Sequence, residues 1–149
     1  MNQRITLEAI APGDTHASTR VTISEAHIVW FAGLTGDFNP LHMDEESASK
    51  GPFGRRIAHG MLSYSMSTGM RSRIDDWEIL AFLETSRRFK GPVFAGDTLH
   101  YVATVREVRA SASKRDRGVV RVAMALHNQN GAVVQEGEDV FSVATGVQA

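Results

Sequence analysis

Leu99, Tyr101, Ala103 and Val105 alternate with His100, Val102, Thr104 and Arg106, a period of two that sends successive side chains to opposite faces of an extended strand. Three more stretches of strand character accompany it: Ile79 to Phe89, Val119 to Leu126 and Val133 to Val143. None of these can satisfy its backbone groups alone, so they must pair into a sheet. The connections choose how. Ser113-Lys114-Arg115-Asp116-Arg117-Gly118 reads as a charged hairpin tip, and Asn128-Gln129-Asn130-Gly131 as a tight turn, because Asn-Gly readily takes positive φ. Short links between successive strands favour antiparallel pairing.

The chain before this sheet, from about Ser24 to Arg73, has helical character. Ser24-Glu25 ahead of Ile28, Phe31 and Ala32 marks a helix start, with a side-chain oxygen for the free N–H groups and an acid at the positive end. That helix should end near Gly36. Asp44-Glu45-Glu46 repeats the signature before a short helix stopped by Gly51-Pro52. A third helix is expected over about residues 59–73. There Met61, Leu62, Met66 and Met70 offer apolar contact while Ser63, Ser65, Ser67, Thr68 and Gly69 stay small. Small residues on several faces let other backbone come close, so we read this as a central, mostly buried helix wrapped by the sheet. Helices first and strands after give an α+β fold.

The 149 residues show no repeat, linker or compositional break, so a single domain over residues 1–149 is expected, with about two thirds of the extended surface buried. Sixteen basic against seventeen acidic residues leave a net charge of −1, which provides no global attraction to nucleic acid or to an anionic membrane. Zero cysteines exclude disulfides and cysteine-ligated zinc, and Met1-Asn2-Gln3-Arg4 opens no apolar run of signal or membrane-spanning length. A cytoplasmic protein is the expectation.

Thr35-Gly36-Asp37-Phe38-Asn39-Pro40-Leu41-His42 gathers an acid, an amide and an imidazole around a proline-fixed turn. Asp37 and His42 can be turned toward one point, where together they could move protons on and off a water molecule. The plainer alternative is that Asp37 caps a turn and His42 is a core histidine. Asn39 and Pro40 are read as shaping the loop. His42-Met43-Asp44 lacks the further ligands a metal needs, so no metal is expected.

This motif, with Ile57-Ala58-His59-Gly60-Met61-Leu62 and Arg88-Phe89-Lys90-Gly91-Pro92-Val93-Phe94-Ala95-Gly96-Asp97-Thr98-Leu99, resembles the MaoC-like dehydratases and (R)-specific enoyl-CoA hydratases. Those are proteins of the hot-dog fold, in which a long antiparallel sheet wraps one helix. The resemblance implies that Asp37 and His42 form the catalytic pair, that the Gly60 N–H is an oxyanion donor, that Asn39, Pro40 and His59 support them, and that Thr68 is a hydroxyl helping to hold the acid. For Thr68, a hydroxyl returned to its own helix is an equal alternative.

Hydration of an α,β-unsaturated thioester requires a base, an acid and a partner for enolate charge, and these residues supply a candidate for each. A thioesterase on the same fold and a catalytically silent acyl-binding subunit are the rival functions. The thioester is the substrate, a CoA or acyl-carrier ester, and no separate cofactor is expected. Its phosphates point to Arg55, Arg56, Arg87, Arg88 and Lys90, although solvated surface charge explains any single one as well. At least a homodimer is implied by resemblance. Trp77, Met66, Met70 and Tyr64 suggest a shortened acyl pocket.

Overall fold

In the computed structural model, which describes residues 4–146, the four expected stretches form the long strands of one antiparallel sheet. The first three residues of the Met1 start and the last three of the expected 1–149 domain lie outside the described residues. Two short strands precede the rest, β1 (Thr15–Ala17) and β2 (Val21–Thr22). The helices follow: α1 (Glu25–Thr35), α2 (Pro40–Met43), α3 (Glu45–Ser49) and α4 (Gly60–Thr68). The long strands are β3 (Ile79–Phe89), β4 (Thr98–Ala110), β5 (Arg117–His127) and β6 (Val133–Ala144), in the order β1-β4-β5-β6-β3 with β2 also on β4. The sequence periodicity missed β1 and β2, which at three and two residues are too short to show one.

Register confirms the alternation. Tyr101 stands opposite Leu126, Ala103 opposite Met124 and Val105 opposite Val122. Val105, Val120 and Val122 are closed from solvent and join Leu99, Ile23, Ile28 and Trp77 in one apolar core.

The expected helix over residues 59–73 is shorter. It stops at Thr68, Gly69 caps it, and Ser72 starts a separate 3-10 turn over Arg73–Asp76, accepting from Ile74 N at 3.1 Å while its own N–H donates to Asp75 Oδ2 at 2.6 Å. The local capping pair outcompetes continuation of the helix. The helix is also half-buried rather than mostly buried. Leu62, Ser63 and Ser67 face inward, whereas Met61, Ser65 and Thr68 are exposed.

β3 is an edge strand, paired among the described strands only with β6. Most of it is exposed, yet Arg87 and Asp139 form an ion pair at 2.8 Å with side-chain exposures of 9% and 8%. Thr85 Oγ1 donates to the same carboxylate at 2.7 Å, and the Arg87 guanidinium lies 4.8 Å from the centre of the Tyr64 ring.

Candidate active site

The loop geometry begins where α1 ends. Gly36 takes φ 78°, a left-handed conformation that terminates the helix, and its N–H donates to Ala32 O at 2.8 Å. Asp37 Oδ1 then accepts from Asn39 N at 3.3 Å, and Asn39 Oδ1 accepts from Leu41 N at 3.0 Å. Asn39 is thus the N-cap of α2, with Pro40 at its first position, where a missing N–H costs nothing. The second half of the expected loop is therefore a short helix, Pro40–Met43. That helix aims His42 inward beside Asp37.

His42 Nδ1 contacts Ile57 O at 2.7 Å, which places the proton on Nδ1 and leaves the Nε2 lone pair facing Asp37 Oδ2 at 4.0 Å. His59 Nε2 contacts the backbone O of Asp37 at 2.9 Å, so the His59 proton sits there and Nδ1 is buried without a partner. The His42 and His59 rings stack with centroids 3.9 Å apart, and Phe31 packs on His59 at 5.1 Å. His59 therefore supports the pair from below, holding both the Asp37 backbone and the His42 ring.

Gly60 opens α4, and no acceptor for its N–H is found among the described residues. A Cβ at this position would lie 2.7 Å from Cε1 of Phe89, so the ring of β3 can reach the helix start only over a glycine. His42, Gly60 and Phe89 line one cavity of about 480 Å³, together with Ser63, Lys90 and Gln135. Gln135 Nε2 donates to Gly60 O at 2.8 Å. Ser63 and Phe89 stood in the sequence only as a small helix residue and a member of the third motif, and Gln135 was not noticed. The available signal was a polar residue interrupting the apolar start of the Val133 strand, but only the fold shows that it points inward.

Of Thr68 and the expected phosphate contacts, only Lys90 lines this cavity. Thr68 donates to Ser65 O at 2.7 Å and lines a different cavity, with Ile74, Phe82 and Phe141; within this chain it is the helix-bonded hydroxyl of the plainer reading. Arg56 is tied to Glu45 at 2.8 Å and Glu25 at 3.1 Å, which hold its guanidinium above the usual arginine range and pin α1 to α3. Arg87 is buried against Asp139, its guanidinium already engaged by that carboxylate. Arg55 stacks on Phe94 at 3.9 Å, Lys90 reaches Glu136 at 3.4 Å, and Arg88 is 3.9 Å from the same acid on a side chain 83% exposed. Trp77, Met66, Met70 and Tyr64 do not line the His42 cavity, so the expected shortening of the pocket has no support from them.

Asp44, considered as a metal ligand with His42, instead caps α3 by accepting from Ser47 N at 3.0 Å. The fold does assemble a different set, since Asp37, His42 and His59 each offer a ligand atom within 4.8 Å of the others. Sequence proximity could not reveal it, because His59 arrives from a distant stretch of the chain. One nitrogen of each imidazole is already committed to a carbonyl.

One antiparallel sheet laid over one central helix, with the motif loop above the helix start, is the hot-dog class of α+β protein. A Mycobacterium tuberculosis protein described as a double hot-dog fold superposes with a TM-score of 0.82 at 17% identity over 99% of this chain and 46% of its own. Residues 9–127 match the family model described as a MaoC like domain, and the chain belongs to that family. Among its relatives is the (R)-specific enoyl-CoA hydratase of Aeromonas caviae, 35% identical over 118 residues, covering 79% of this chain and 84% of the relative. The structure of an Archaeoglobus monoamine oxidase regulatory protein matches with a TM-score of 0.87 at 33% identity, over 97% of both chains.

Proposed function

We propose that this protein is a hydro-lyase that adds water reversibly to the double bond of an α,β-unsaturated acyl thioester, with Asp37, His42 and Gly60 as its catalytic groups. The observation that carries this reading is the 4.0 Å gap between Asp37 Oδ2 and His42 Nε2. It is too long for a direct hydrogen bond and suited to a water held by both. Gly60, with its unpaired N–H, lines the same cavity as His42. The water oxygen attacks C3 as one group of the pair takes its proton. The other delivers a proton to C2, and the thioester oxygen accepts from Gly60 N–H at the positive end of α4 while enolate charge develops. Elimination reverses each step, so the direction of flux follows concentrations. The (R) configuration of the product is included in the same reading and is supported by the Aeromonas relative.

No metal enters this scheme, and the pair works by proton transfer alone. Treatment with a chelator should leave the rate unchanged; a loss restored by Zn²⁺ would reassign Asp37, His42 and His59 as a metal centre. Lys90, lining the cavity, and Arg55 and Arg88 nearby in sequence are the proposed contacts for the phosphates of a CoA or acyl-carrier thioester. A homodimer in the cytoplasm completes the reading. Its support is the free edge of β3, where Leu80, Phe82, Leu83 and Phe89 are exposed at 44% to 55%. No helix among the described residues is long and apolar enough to cross a membrane.

The decisive experiment adds purified protein to crotonyl-CoA and follows enoyl-thioester absorbance together with free thiol. Hydration removes the absorbance without releasing thiol. Thiol release would instead establish the thioesterase, and no change over several chain lengths would leave an acyl-binding subunit.

A further inference from the structure

Two polar side chains on residues that line the cavity have no task in the reaction above. Ser63 is wholly buried, lines the cavity, and its Oγ has no hydrogen-bond partner among the described residues. The other hydroxyls of α4 behave differently: Ser65 donates to Met61 O, Ser67 to Tyr64 O and Thr68 to Ser65 O. Gln135, 2% exposed, lines the same cavity from β6. Its bond to Gly60 O requires Nε2 at that end and so fixes the orientation of the amide, leaving Oε1 buried and unpartnered. Buried polar atoms without partners are uncommon, and two on residues lining one mostly apolar cavity call for a common explanation.

We propose that Ser63 and Gln135 recognise a hydroxyl on the acyl chain, beyond the double bond, so that the substrate is a hydroxylated enoyl thioester rather than a purely aliphatic one. This deepens the hydratase reading, on which it rests for the placement of the thioester oxygen at Gly60. Gln135 Oε1 can only accept, while the Ser63 hydroxyl can donate. Both atoms are closed off where they stand, so a small turn of the two side chains toward the cavity is part of the proposal; one substrate hydroxyl then answers both, donating to the amide and accepting from the serine. A carboxylate cannot donate to Oε1. Among the described residues the only lysine or arginine lining the cavity is Lys90, half-exposed and engaged with Glu136 at 3.4 Å. Ser63 lies three residues beyond Gly60, about 4.5 Å along the helix axis. That span corresponds to a hydroxyl on C4 or C5. The competing occupant is an ordered water bridging the two side chains, which would leave the acyl preference aliphatic or neutral.

The test compares matched pairs that exchange a methyl for a hydroxyl: pent-2-enoyl-CoA with 4-hydroxybut-2-enoyl-CoA, and hex-2-enoyl-CoA with 5-hydroxypent-2-enoyl-CoA. The hydroxylated member of at least one pair should have kcat/KM about tenfold higher or more, because its aliphatic twin strands both polar atoms. Ser63→Ala, which breaks no bond within the protein, should bring that ratio toward one, and Gln135→Leu should do the same. Equal kcat/KM within both pairs, or a ratio unchanged in Ser63→Ala, overturns the proposal and leaves hydration intact. Calorimetric binding of saturated 4-hydroxybutyryl-CoA against pentanoyl-CoA separates the two readings. Tighter binding of the hydroxylated ester without turnover of any enoyl thioester would sink the hydratase and keep the recognition; no preference in binding or turnover would sink the recognition.

Discussion

At the scale of single residues, the site depends on where protons and lone pairs are held. Asp37→Asn or His42→Ala should lower kcat by about 10²- to 10⁴-fold, the range of a lost acid or base, while circular dichroism and melting temperature stay near wild type. Full activity in either variant would remove the pair from the mechanism. Gly60→Ala makes a different demand, since its Cβ meets the Phe89 ring 2.7 Å away. That ring is the half-exposed end of a side chain and can move, so the variant should fold, with kcat reduced by the shift of the helix start. Gly60→Ala combined with Phe89→Leu should recover some of the loss; no recovery would mean that the backbone, not the ring, is what the alanine disturbs. The loop from Thr35 to His42 was legible in the sequence because its geometry is local: a left-handed glycine, an Asn cap and a proline at the first helical position. The stack of His59 under His42 was not, because its two rings meet only through folding.

At the scale of elements, β3 combines an exposed apolar edge with a buried charge. Arg87 and Asp139 satisfy each other at 2.8 Å, and removing one partner leaves the other charge buried. Arg87→Met should therefore cost about 3–5 kcal/mol in denaturant unfolding, and Arg87→Met with Asp139→Leu should be more stable than the single variant. A single variant as stable as wild type would show that the charge escapes to solvent. Leu83→Lys on the free edge should convert a dimer to a monomer in light scattering; an unchanged mass would place any interface elsewhere. The long strands were readable from their alternation, and their ends extended only by a residue or a few. The end of α4 was misread because apolar residues continue to Met70 in the sequence, whereas the Ser72–Asp75 cap is a local competitor that periodicity does not weigh. Arg87 was read as a phosphate contact or a solvated charge because nothing beside it in sequence announces Asp139.

For the molecule as a whole, burial of two imidazoles links stability to pH. Desolvation holds His16 below the ordinary histidine value, with Arg73 adding to it and Asp14 opposing. Desolvation does the same to His100, beside Arg20 and His127. In each case the unfolded chain binds the proton more readily than the folded one. Stability is therefore complete above about pH 6.5 and is lost as pH falls through that value toward the lowered folded values. Melting temperature should drop as pH falls below about 6.5, the free imidazole value, and His100→Gln should flatten the drop; an unchanged slope would assign the effect to other groups.

The sequence by itself determined the pieces whose causes are local or periodic. These are four strands from alternation or strand-forming composition between turns, helix starts from caps, and a loop whose proline, asparagine and glycine can adopt few conformations. Only the tertiary structure decided what those pieces confront. It brought His59 beneath His42, set Gln135 against the Gly60 carbonyl, left Ser63 without a partner, and closed Arg87 over Asp139. The physical reason is that a side chain's chemistry depends on its surroundings, which distant residues supply only once the chain has folded.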